Sequence, residues 1–178
     1  MTHQFWNFPL AVCFVIGCLS VSVHAQGVLN PEEMTLRMQL QKARQGRVDN
    51  LVCSQAYFIS KSGNHGDAKE IFLKCAEAGF TAAMIWLAHL EANCMGGPPD
   101  PRAAAAWDRR AAEAGDPLGA YNYGLDLLRG FGVEKNRAEG IRYIDIAVRH
   151  DVDGARALQA ADYDPDAATP DSDQHYYP

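Results

Sequence analysis

The side chains with reactive chemistry are few and widely spaced. Cys53, Cys75 and Cys94 lie in the body of the chain, with His65, His89 and His150. A Cys–His nucleophile drawn from any of the three with His89 is a formal alternative, disfavoured if the chain is exported to an oxidising compartment. Beyond residue 25 there is no His-x-x-x-His and no metal-spaced cysteine pair. Asp151-Val152-Asp153-Gly154 begins like a calcium loop, yet lacks the further acidic ligands such a loop requires. It reads as helix-end chemistry. Neither Ser-x-x-Lys nor Gly-x-Ser-x-Gly occurs. These residues assign no catalytic site, no metal and no cofactor.

The elements that hold them repeat. Ala76-Glu77-Ala78-Gly79 returns 36 residues later as Ala112-Glu113-Ala114-Gly115. The same shift aligns three small residues (Ala68, Ala104, Gly140) and three large ones (Ile71, Trp107, Tyr143). A second small set follows (Cys75, Ala111, Ala147). Within each copy these fall at i, i+3 and i+7, one face of a helix. Ala88 matches Gly124, where a small side chain lets two helices approach closely. Asn30-Pro31, Asp100-Pro101 and Asp116-Pro117 supply capping side chains followed by proline at the first helical position. Asn30 with Glu33 is also spaced as a capping box. Asp67, Asn136 and Asp153 are further candidate caps. Gly46, Gly79 and Gly115 sit where helices stop.

The reading is an all-α fold: an α/α solenoid of helix-turn-helix repeats with period 36 and degenerate helical caps at both ends. Helices are predicted at 31–45, 48–59, 67–78, 82–94, 101–114, 117–129, 137–149 and 154–161. The domain covers 26–161: an opening helix at 31–45, repeats at about 47–80, 81–116 and 117–153, and a closing helix at 154–161.

From Ala120 to Ala147 the chain reads Gly124-x-x-Leu127-x-x-Gly130-x-Gly132-Val133-x-x-Asn136, then Tyr143 and Ala147. With the Ala-Ala-x-x-Gly endings, this resembles the Sel-one-like repeat (SLR) family, a relative of the tetratricopeptide repeats, in its exported bacterial type. The resemblance covers about 47–161. It departs at Tyr123, where the family has Leu, and at Met95-Gly96-Gly97-Pro98-Pro99 in one loop. The unit at 47–79 keeps only its second helix well. The resemblance implies an adaptor or scaffold of the bacterial envelope that binds a protein, and brings with it the alternative of a repeat-built hydrolase or penicillin-binding-type enzyme.

Stacked helical hairpins curve into an extended concave face. Residues on the first helices, off the core stripe, are expected to line it: Asn50, Tyr57, Trp86, His89, Asn93, Asn122, Asp126 and Arg129. Aromatic anchors beside polar neighbours suit a protein partner. Trp86 has the competing reading of a core residue, and polar side chains at helix spacing are often only solvated. Nucleic acid is disfavoured. The net charge is −6, five Asp lie beyond Ala161, and the rest of the chain is near neutral with no basic run.

The first 25 residues carry no Lys, Arg, Asp or Glu, and an apolar run leads to Val23-His24-Ala25. This is the pattern of a signal peptide at 1–25, cut after Ala25. Localisation would then be periplasmic or extracellular. A membrane-spanning helix competes, though the run is short for one. Val15-Ile16-Gly17-Cys18 also resembles a lipoprotein box, and the chain would be membrane-held only if Cys18 is lipidated. Export permits disulfides. A hairpin folding about residue 62 leaves Cys53 and Cys75 about one turn out of register, which permits a bond without requiring it. The pair expected is Cys53–Cys75, with Cys94 left over; the alternative is three reduced cysteines. The acidic tail at 162–178 is expected to be disordered.

Overall fold

The computed structural model describes residues 35–168, and these form eight helices. They are α1 (Leu36–Arg44), α2 (Asn50–Lys61), α3 (His65–Glu77), α4 (Thr81–Ala92), α5 (Pro101–Glu113), α6 (Pro117–Arg129), α7 (Arg137–Arg149) and α8 (Asp153–Ala160). A short 3-10 turn follows at Pro165–Ala167. No strand occurs among the described residues, and no helix there is long and apolar enough to cross a membrane. Each helix packs on the next in the chain, and α1 also packs on α3 and α4 on α6. First helices α2, α4, α6 and α8 thus make one layer, and α1, α3, α5 and α7 the other.

The repeat positions do what their sizes require. Cys75, Ala111 and Ala147 are fully buried, as are Ala68, Ile71 and Ile144. Trp107 is only half-buried, with the Arg110 guanidinium 4.4 Å from its ring centre. Close approach is enforced at two glycines. A Cβ on Gly119 would stand 2.5 Å from the Cβ of Ala111, and one on Gly124 would meet Ile144 Cδ1 at 2.7 Å. Asp100, Asp116 and Asn136 cap α5, α6 and α7 through side-chain oxygens. Gly46, Gly79 and Gly115 take positive φ just past the helix ends.

Several expected boundaries move. The opening helix starts at Leu36 rather than 31, because Thr35 is extended and its hydroxyl accepts from Met38 N at 3.4 Å. Asn30, Pro31 and Glu33 lie outside the described residues, as do the leader at 1–25 and residues 169–178. Asp67 is not a cap: Asn64 is, and its amide donates to Asp67 Oδ2 at 2.8 Å inside the first turn of α3. Val152, not Asp153, caps α8. Arg156 pairs with both Asp151 (2.8 Å) and Asp153, so this acidic pair is a helix-end ion cluster.

The body also runs beyond Ala161. Asp162 and Tyr163 take positive φ (53° and 56°) and turn the chain back over α7 and α6. Tyr163 Oη donates to Asp145 at 2.6 Å, and Arg137 donates to the carbonyls of Asp162 and Tyr163 at 2.8 and 3.2 Å. Arg129 donates to Pro165 O at 2.9 Å. Composition alone reads 162–168 as disordered; a tyrosine and two arginines give this strap its partners.

Cys53 and Cys75 form a disulfide with a Cα–Cα distance of 5.9 Å. Helix α2 runs two residues further than expected and α3 starts two earlier, which moves the turn to 62–64 and brings the two cysteines closer to level. With two thiols oxidised, neither Cys53 nor Cys75 is a nucleophile. Cys94 is free and exposed.

Candidate functional site

The first-helix layer carries two neighbouring clusters of different chemistry. The first joins α2, α3 and α4. Tyr57 and Trp86 have ring centres 5.0 Å apart, and Trp86 stacks on Phe72 at 6.0 Å with an interplanar angle of 8°. His89 meets Trp86 edge-on at 5.4 Å, and Phe58 meets Tyr57 at 5.3 Å. Lys61 Nζ lies 5.7 Å from the Tyr57 ring. Asn93 ends α4 and donates to His89 O at 2.9 Å, with its amide 3.3 Å from His89 Nδ1. Phe58 is 61% exposed, the most open of the large apolar side chains among the described residues. Asn50 opens α2, exposed and two turns from Tyr57.

The second cluster joins α5 and α6. Asn122 Nδ2 donates to Asp108 Oδ1 at 3.1 Å, and Asp108 is 6% exposed. Gly119 faces Ala111 and Asn122 faces Asp108, and Asp126 follows Asn122 by one turn on α6. Asp126 is 9% exposed, and its Oδ2 has no hydrogen-bond partner. Burial lifts its carboxyl to about 7, and only the Arg129 charge pulls the other way. Asp126 was expected to line the solvent-facing strip. It lies instead at the repeat position of Leu90, which is 1% exposed.

Of the eight predicted residues, the structure gathers Tyr57, Trp86, His89 and Asn93 at one place and Asn122 and Asp126 at the next. Arg129 is exposed and spent on the strap, and Asn50 stands apart. Sequence reasoning missed Phe58, Phe72 and Asp108. The 36-residue shift holds the signal for two of them: Phe72, Asp108 and Ile144 are equivalent, as are Trp86, Asn122 and Leu158. An Asp between a Phe and an Ile marks a polar seam.

Hairpins stacked at a fixed repeat, with small residues at each close approach, can be set against solved structures. A Sel1 repeat protein from Oxalobacter formigenes superposes with a TM-score of 0.55, covering 70% of this chain at 24% identity. The chain has the Sel1-repeat fold. It spans 52% of that protein. A protective antigen present in uropathogenic Escherichia coli strains and displaying an SLR fold is 17% identical, with a TM-score of 0.48 over 78% of this chain and 37% of its own. No family model matches the chain. No curated protein matches it either. Within the Sel1-repeat fold, the two clusters occupy the same step of successive repeats, which makes their difference in chemistry local.

Proposed function

We propose that this protein is a non-catalytic interaction module that holds a protein partner on its first-helix face, in the bacterial envelope or outside the cell. The observation that carries the reading is the ring cluster of Tyr57, Trp86 and His89, rimmed by a Phe58 that is 61% exposed. Rigid aromatic side chains beside polar ones are the usual anchors of protein interfaces, and most of the Phe58 ring is left open to a partner. Export is supported by the uncharged apolar leader and by the Cys53–Cys75 disulfide, which persists in oxidising compartments.

The test is capture from envelope extract with the wild-type chain and a Phe58→Asp/His89→Ala variant whose helix content is verified by circular dichroism. A protein held by the wild type and lost by the folded variant supports the reading. Equal capture by both, or capture of nothing, overturns it. Mass spectrometry of the exported chain tests the processing. An amino terminus at Gln26 supports cleavage after Ala25, whereas a lipidated Cys18 replaces it with a membrane anchor.

A further inference from the structure

The seam between α5 and α6 holds a carboxylate that the fold does not need. In the preceding repeat the equivalent position is Leu90, buried to 1% exposure, so an apolar residue satisfies the packing there. At Asp126 the chain buries a carboxyl instead and leaves Oδ2 without a hydrogen bond. A buried carboxylate oxygen without a hydrogen bond is costly, and the cost falls when a cation reaches it. Arg129 is the nearest basic residue along α6, but its guanidinium donates to Pro165 O. One turn away, on the same face of α6, Asn122 and Asp108 form a second polar pair.

The surroundings point to the same ligand. From Thr81 to Ala168 the chain has nine Lys and Arg against fourteen Asp and Glu, whereas from Thr35 to Phe80 it has seven against four. The seam therefore lies in the acidic half of the molecule, one repeat from the aromatic cluster.

We propose that the α5–α6 seam is a subsite for a cationic side chain, a Lys or Arg of the protein partner, with Asp126 as its counter-ion and the Asn122–Asp108 pair as the neighbouring acceptor. This rests on the reading of the first-helix face as the partner's binding surface, and it adds the partner's chemistry: an aromatic or aliphatic anchor for the Trp86 cluster and a basic residue one repeat further along.

A random peptide library displayed on phage, panned against the full chain, tests the subsite directly. The expected result is enrichment of peptides carrying Lys or Arg near an apolar residue, their binding weakened about tenfold or more by Asp126→Asn, as for loss of a charged hydrogen bond. Asp126→Leu restores the residue type of the neighbouring repeat and serves as a second variant, its folding checked by circular dichroism. Enriched peptides without basic residues, or basic ones bound equally by both variants, overturn the subsite while leaving the interaction surface standing. Enrichment of nothing overturns both.

Discussion

The α3–α4 seam and the α5–α6 seam are the same joint one repeat apart, built from opposite materials. In the first, Phe72 stacks on Trp86; in the second, Asp108 accepts a hydrogen bond from Asn122 at the same two positions. The α7–α8 joint uses Ile144 and Leu158 there, both buried. What stays constant is size: Ala111 meets Gly119 closely, and the equivalent positions by the 36-residue shift, Cys75 and Ala83, Ala147 and Ala155, are small and buried too. The lesson is that this fold is specified by where its helices must touch. The positions one turn away are free to be dry or polar, and there the repeats differ in what they can bind.

The comparison can be broken at its dry side first. Phe72→Ala removes a ring that is 2% exposed and stacked on Trp86, and should cost about 3–5 kcal/mol in urea unfolding. A cost under about 1 kcal/mol would mean that the aromatic joint carries no more than a surface contact.

The polar side should announce itself through pH. The folded Asp126 carboxyl, at about 7, lies above its unfolded value of about 3.9. Between those values the native state keeps a proton that the unfolded chain has released. Stability from this group is therefore full below pH of about 4, falls as pH rises towards about 7, and is level above, a loss of at most about 4 kcal/mol. Asp126→Leu should abolish that slope in melts across the range and raise stability above pH 7. An unchanged slope would show Asp126 to be solvated and paired.

Reducing the disulfide sharpens the contrast between the halves of the molecule. Cys53→Ser/Cys75→Ser should lower stability by about 3 kcal/mol, as expected for a loop of 22 residues, with amide exchange rising in α2 and α3 and unchanged in α7. Exchange rising equally throughout would make the stack one cooperative unit. The smallest effect belongs to Asn122→Ala, which removes one donor from Asp108 and should cost about 1–2 kcal/mol. A larger loss would make the polar pair a structural keystone rather than a tolerated variation.

Much of this architecture is legible in the sequence, because it depends on backbone punctuation. Asp100, Asp116 and Asn136 cap where they were read, and 117–129 and 137–149 are helices to the residue. Where caps compete, reading fails: Asn64 precedes Asp67 and takes its place, and Val152 stands in for Asp153 without a side-chain bond. The strap at 162–168 was illegible because its order comes from Arg129, Arg137 and Asp145, far along the chain. The site was half legible. Helical spacing puts Tyr57, Trp86 and His89 on the first helices, but only the packing register shows that Asp126 turns into a seam.

The placement of the disulfide has a mechanical consequence. It ties the two helices of one hairpin and links no hairpin to the next. Under tension applied at its ends, the stack can come apart between repeats without breaking a covalent bond, while the 21 residues between Cys53 and Cys75 stay hidden from the pull. About 70 Å of extended chain is thereby held in reserve until the bond is reduced, so the same molecule has two maximum lengths set by the redox state around it.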